Sequence, residues 1–258
     1  PAIFEALGAT TYVINASPDG QNINHNAGST HIEGLVKLVR EQHLDVGFPF
    51  DGDADRCLAV DENGNVVNGD HILYILANQL KRKGILNHDT IVATVMSNGG
   101  LTKALREVGI NTVKTAVGDR YVYEAMMKDG YLLGGEQSGH IILQKYATTG
   151  DGILTALMLM EEILDRKSTL GKLASPVKIF PQYLINIKVA DKDAVMNDER
   201  VKSIVHEIEE ELGENGRILL RKSGTENVIR VMVECENEEQ CNSCAEKAAA
   251  YIRERYGK

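Results

Sequence analysis

Thr90-Ile-Val-Ala-Thr-Val-Met96 is the stretch whose reading decides the fold. It is apolar almost without a break and rich in β-branched residues, the pattern of a strand covered on both faces in a parallel sheet. Strand and helix patterns alternate on either side of it. Asp70 opens a helical pattern that puts Ile72, Leu73, Leu76 and Leu80 on one face. After the strand come a helix over 101–108, a strand over 111–115 and a helix over 121–128. Gly134-Gly135 reads as a turn before a short strand, 141–143. Thr149-Gly-Asp151 then opens a helix over 153–164, with Asp151 as its cap. The series is βαβ and defines an α/β unit from about residue 70 to 175.

Upstream, Ile3, Phe4 and Leu7 suggest a helix, 11–16 a β-rich run, and Ile32, Leu35, Val36 and Val39 a helical stripe. Val46–Phe50 reads as a buried strand, 57–60 as its continuation, and Asn63-Gly-Asn65 as a turn. Downstream, Pro176 and Pro181 mark a linker. A half-exposed strand over 183–189 follows, then a helix with Val201, Ile204, Val205, Ile208 and Leu212 on one stripe. Strands over 217–220 and 228–234 and a helix over 238–255 end the chain. The fold class is α/β: mixed-sheet, three-layer α/β domains followed by a C-terminal α+β domain with a largely antiparallel sheet.

Of 258 residues, 43% are hydrophobic and 25% charged, so real cores are expected. The formal net charge of -9 argues against nucleic acid as a partner. No apolar stretch approaches the roughly 20 residues of a membrane span, and no signal peptide is seen, so neither membrane nor export is expected. Cysteines stand at 57, 235, 241 and 244. Cys241 and Cys244 form a CxxC inside a helix with no second pair, which reads as half-buried thiols rather than a zinc site. A cytoplasmic protein without disulfides fits.

Asp51-Gly-Asp-Ala-Asp-Arg56 carries the chemistry. Three carboxylates at alternate positions repel one another unless a cation sits among them. Oxygen ligands suit a hard divalent ion, and few protein ligands suit Mg2+. Arg56 adds an anion handle, and metal plus anion suggests phosphate. Two other readings stay open: a calcium loop, which lacks its sixth-position glycine here, and a phosphatase motif with a nucleophilic Asp.

Three further loops are candidates. Gly134-Gly-Glu-Gln-Ser-Gly-His140 offers Glu136 and Ser138 to ligand hydroxyls, or is a Gly-rich turn in which His140 is structural. Arg221-Lys-Ser-Gly-Thr225 is a phosphate cradle or a charged hairpin turn. Arg230 has two readings, a second contact to the same phosphate or, preferred, a solvated strand arginine. Val117-Gly-Asp-Arg120 lies at the ligand edge of a parallel sheet, or Asp119 is a helix cap.

Taken together the loops resemble the α-D-phosphohexomutase family, over essentially the whole chain. Its metal loop reads DGDGDR, against DGDADR at 51–56; its sugar loop GE-x-SG is matched at 135–139; its phosphate loop R-x-SGTEP is nearly matched at 221–227. The resemblance implies an isomerase that moves a phosphoryl group within a sugar phosphate. Asp51, Asp53 and Asp55 would hold Mg2+ and Arg56 would support transfer. Gly118, Asp119, Glu136 and Ser138 would bind sugar, and Arg221, Ser223, Gly224 and Thr225 would bind phosphate. The three divisions implied are an incomplete second family domain over 1–69, a third over 70–176 and a fourth over 180–258. GEQSGH at 135–140, Thr-Gly-Asp-Gly at 149–152 and the segments 17–20 and 28–31 are most similar to the branch acting on glucosamine phosphates for peptidoglycan precursors. The expected partner is therefore a hexosamine phosphate, and a homodimer is one assembly the resemblance allows.

Departures are Ala54, Lys222 and Asn227, where the family has Gly, Pro and Pro. Ala54 restricts the loop if its φ is positive, and the lost prolines loosen the phosphate loop. The family's phosphoserine loop (Thr/Ser-Ala-Ser-His-Asn-Pro) does not occur in these residues. With Pro1 in place of Met, the expectation is a piece of a longer protein that is inactive alone.

Overall fold

The computed structural model describes residues 1–224 and 226–257. The chain divides into two compact units, one of residues 1–97 and 104–177 and one of 98–103 and 178–258.

The first unit is built on a four-stranded sheet in the order β4-β3-β5-β6, from β3 (Thr90–Thr94), β4 (Asn111–Thr115), β5 (Leu133–Gly135) and β6 (Ile141–Leu143). The β3–β4 and β3–β5 pairs are parallel and β5–β6 is antiparallel. Every residue of β3 is buried. Val92 packs with Val122 and Met126 of α5 (Asp119–Asp129) and with Ile142. Ile91 and Ala93, on the other face by the two-residue period, are also fully buried. This is the double-sided cover that the apolar run predicts, and it makes the unit three-layered.

Helix α3 (Gly69–Arg82) packs against β5 and against α6 (Gly152–Arg166). Asn68 caps α3, accepting from the backbone N–H groups of Asp70 and His71, while His71 returns a bond to the Asn68 backbone. The helix therefore starts one residue earlier than the apolar stripe suggests. Asp151 caps α6 through the Leu154 N–H at 2.9 Å, as read from sequence.

The second unit is an antiparallel sheet in the order β7-β9-β8, from β7 (Gln182–Lys188), β8 (Gly216–Lys222) and β9 (Val228–Cys235). Helices α9 (Glu199–Leu212) and α10 (Glu238–Tyr256) close its core, where Val201, Ile204 and Ile208 meet Val231, Val233 and Ala245. A short helix α8 (Lys192–Asn197), capped by Asp191, precedes α9 and has no apolar stripe to announce it. Cys241 and Cys244 are not half-buried but lie inside this core. Burial pushes the Cys235 and Cys244 thiols up to about 11.

Sequence expectation fails mainly before residue 60. Residues 11–16 form no strand: Tyr12, Val13 and Ile14 are 55%, 52% and 41% exposed. Their β propensity has no neighbouring strand to satisfy it among the described residues. The 46–50 run makes only isolated bridges, Gly47 to Val60 and Phe50 to Cys57, because Pro49 has no N–H for a ladder. Of the expected 57–60 strand only Ala59–Val60 enters a ladder, with Val66–Val67. Helices α1 (Ala2–Ala6) and α2 (Glu33–Gln42) do form.

Gly134-Gly135 is not a turn but the last two residues of β5. Neighbours come so close there that side chains are excluded. A Cβ at Gly134 would lie 2.6 Å from Met126 Sδ, and one at Gly135 would lie 2.6 Å from the His140 carbonyl oxygen.

Candidate functional site

The Asp51–Arg56 loop leaves the extended 46–50 segment and folds back sharply. The Ala54 N–H donates to the Asp51 carbonyl at 3.2 Å, and Ala54 stands at φ +59°. Alanine in this left-handed region costs roughly 1 kcal/mol that glycine would not, so the departure at 54 does strain the loop. The turn brings one carboxylate oxygen each of Asp51, Asp53 and Asp55 within 4.8 Å of one another.

The charges are only partly compensated. Arg56 donates its backbone N–H to Asp51 Oδ1 at 3.1 Å, and its Nε stands 3.7 Å from Asp51 Oδ2 and 3.9 Å from Asp55 Oδ1. Asp55 Oδ1 is buried and accepts no hydrogen bond. An oxygen desolvated without a hydrogen bond is costly, and the Arg56 Nε at 3.9 Å compensates it only in part. The donor set fits a hard divalent ion with most of its shell left to water or substrate.

The other oxygen of Asp55 is held. His140 Nδ1 lies 2.9 Å from Asp55 Oδ2, and His140 Nε2 lies 3.0 Å from the Gly150 N–H. The Gly150 N–H can only donate, so Nε2 is the acceptor nitrogen and Nδ1 carries the proton toward Asp55. His140 is 2% exposed, so this orientation is fixed by packing. Sequence treated His140 as structural; it reaches the acidic cluster because the chain bridges Arg56 to His140 and because the Cys57 N–H donates to the Gly139 carbonyl at 3.1 Å. Gly139, at φ +93°, must be glycine, since a Cβ would lie 2.4 Å from the Cys57 carbonyl oxygen.

The 136–139 loop is also tied down from its far side. Gly118 donates its N–H to Glu136 Oε1 at 3.0 Å, and Gly69 donates to the Gln137 carbonyl at 3.0 Å. Glu136 is half-buried and Ser138 exposed. Gly118 is the residue before α5, and Asp119 lies exposed in its first turn rather than capping it. The first unit thus brings the acidic cluster, His140, Glu136 and Gly118 into one connected loop system.

A Cβ at Gly69 would lie 2.0 Å from the Glu136 carbonyl oxygen. Gly69→Ala is expected to cost about 1–3 kcal/mol of stability and to displace Glu136. Thermal denaturation checks the first effect, and sugar-phosphate affinity at temperatures where the variant is folded checks the second.

The Arg221–Thr225 loop belongs to the second unit and joins β8 to β9. Thr225 lies outside the described residues. Ser223 is buried, donates its N–H to the Val228 carbonyl at 2.9 Å and receives the Glu226 N–H on Oγ at 3.4 Å. Arg221 and Gly224 are exposed. Arg221 stands directly opposite Arg230 across the β8–β9 pair. Arg230 is not a solvated arginine: it is partly buried, and its Nε is buried without a hydrogen-bond partner. Like charges in opposite register repel. Lys222 turns instead to Asp193, at 2.6 Å. The hairpin register is what sets Arg230 beside Arg221 and favours the phosphate reading over the solvated one.

The chain is similar to known proteins over nearly its whole length. Residues 1–64 match alpha/beta/alpha domain II of the phosphoglucomutase/phosphomannomutase family, 68–180 its alpha/beta/alpha domain III and 184–250 its C-terminal domain. A phosphoglucosamine mutase of Lachnospira eligens is 58% identical over 98% of this chain and 56% of its own length. One from Anoxybacillus flavithermus is 53% identical over 99% and 57%. The chain therefore spans little more than half the length of these relatives.

Among solved structures, a phosphoglucomutase/phosphomannomutase family protein of Burkholderia thailandensis superposes with a TM-score of 0.75 at 20% identity, over 98% of this chain and 57% of its own. An N-acetylphosphoglucosamine mutase of Aspergillus fumigatus, in complex with GlcNAc-6P and magnesium, gives 0.65 at 21% identity over 90% and 53%. On the three successive domain matches and the identity to its relatives, the chain belongs to the phosphoglucomutase/phosphomannomutase family.

Proposed function

We propose that these residues are the metal-, sugar- and phosphate-binding part of a cytoplasmic isomerase that interconverts glucosamine 6-phosphate and glucosamine 1-phosphate. The observation that carries the reading is the state of Asp55: one oxygen pinned by His140, the other buried without a hydrogen bond beside Asp51 and Asp53, with only the Arg56 Nε at 3.9 Å. The substrate follows from the phosphoglucosamine mutase names of relatives 50–58% identical to the chain. The working divisions are 1–69, 70–176 and 180–258.

Asp51, Asp53 and Asp55 would hold Mg2+. When bound, the ion supplies charge neutralisation at a transferring phosphoryl group. His140 keeps Asp55 aimed, since its own Nδ1–H is the donor. Arg56, between two carboxylates, orients the phosphoryl oxygens. Glu136, steadied by Gly118, accepts from sugar hydroxyls with Ser138, and Asp119 borders the same edge. Arg221 and Arg230 flank an anion that removes their mutual repulsion, with Ser223, Gly224 and Thr225 as further donors. In the whole protein an enzyme phosphoserine supplies the phosphoryl group through a bisphosphate intermediate.

A substrate panel on the intact protein tests this. Specificity for glucosamine phosphate should exceed that for mannose or glucose phosphate by at least about tenfold, since a site that hydrogen-bonds the 2-substituent rejects analogues lacking it. Equal or better specificity constants with mannose phosphate would overturn the substrate assignment and favour a phosphomannomutase or phosphoglucomutase activity.

A further inference from the structure

We propose that Lys192 is a positioning residue of the phosphate loop, holding its backbone in the anion-binding shape. This rests on the reading of residues 221–225 as a phosphate site. Lys192 opens helix α8 directly after its cap Asp191, and its side chain is half-buried. Its Nζ donates to the Ser223 carbonyl at 2.8 Å and to the Glu226 carbonyl at 2.9 Å. One ammonium therefore bridges the two ends of the loop, three residues apart, from one side.

The consequence follows from peptide geometry. No cis peptide occurs among the described residues. In a trans peptide the C=O and the following N–H point in opposite directions. With the Ser223 and Glu226 carbonyls turned onto Lys192, the N–H groups of Gly224 and Asn227 point away from it. Gly224 is exposed, and an added Cβ there would meet no described atom within 4 Å. An anion approaching there meets the Gly224 N–H in place of the Ser223 carbonyl oxygen.

The neighbouring contacts leave Lys192 free for this task. Asp191 spends its carboxylate on the N–H groups of Asp193 and Ala194, and Asp193 pairs with Lys222. The bridge also bears on the departures at 222 and 227. Where prolines would stiffen the loop, Lys192 fastens it between those positions. Its positive charge adds to those of Arg221 and Arg230 in the same unit.

The test is binding of glucosamine 1-phosphate, and separately inorganic phosphate, to the 258-residue chain by calorimetry. The variants are Lys192→Met, Lys192→Arg and Arg221→Ala. Freeing two loop carbonyls is expected to weaken Lys192→Met by about tenfold, with the melting temperature little changed. Lys192→Arg keeps two donors and should bind within about threefold of wild type. Amide exchange at Gly224 should quicken in Lys192→Met and not in Lys192→Arg. Wild-type affinity and exchange in Lys192→Met, with Arg221→Ala impaired, would overturn the role of Lys192 alone. Unimpaired binding in both Lys192→Met and Arg221→Ala would overturn the phosphate-site reading and this proposal with it. Should Lys192→Met not fold, Lys192→Arg matching wild type in affinity and exchange supports the bridge, and a tenfold loss in it contradicts the bridge.

Discussion

Arg221→Ala is expected to lower affinity for glucosamine 1-phosphate by about 2–4 kcal/mol, roughly 30- to 1,000-fold. A guanidinium facing a phosphate dianion makes charge-assisted, forked hydrogen bonds, the strongest polar contacts the loop can offer. The same substitution should leave stability unchanged or slightly raised. Arg221 faces Arg230 across the β8–β9 pair, and like charges in that register are worth a few tenths of a kcal/mol against folding. Affinity falling while stability holds separates a ligand role from a structural one. An unchanged Michaelis constant and turnover in the intact protein would remove Arg221 from the site.

The second large effect is a complete loss. The 258-residue chain is expected to bind a divalent cation and sugar phosphate yet to show no mutase turnover, even when primed with hexose bisphosphate. These residues contain no phosphoserine loop of the family type, and the proposed mechanism needs that serine to give and receive the phosphoryl group. Positioning and electrostatics accelerate a transfer only when donor and acceptor are both present. The cation site does not share this dependence, because its three carboxylates lie in one short loop. A coupled assay decides the matter. Robust turnover by this chain alone would mean that the serine-centred mechanism is wrong.

The parts of the fold legible in sequence were those whose signal is local. The fully buried β3 betrays itself by an unbroken apolar run, and β4 appears over the same five residues read from the pattern, Asn111–Thr115. The α9 stripe is plain because it buries one face at helical spacing. The 11–16 and 46–50 runs misled because strand propensity is realised only with a partner ladder, which Pro49 interrupts in one case and no described strand supplies in the other. Gly134 and Gly135 look like a turn because the reason for glycine there, the approach of Met126 and the His140 carbonyl, is tertiary.

The candidate site divides the same way. Asp51, Asp53 and Asp55 converge within six residues of chain, so alternation alone brings them to notice. His140 is 85 residues from Asp55, and its role depends on the Arg56–His140 bridge. Arg230 and Lys192 depend on hairpin register and on a helix with no apolar signature. Ala54 is the case where sequence posed the right question and backbone geometry answered it, with φ at +59°.

Titration of the 258-residue chain with Mn2+, wild type against Asp53→Asn, tests the central claim most directly. Asp53 is the most exposed of the three carboxylates, so its replacement disturbs the fold least. Changing a partner of a metal ligand commonly costs 10- to 100-fold in affinity, and removing a ligand charge should cost at least about as much. The account predicts a weak, saturable site in the wild type that Asp53→Asn loses, and cation binding indifferent to Asp53→Asn would contradict it.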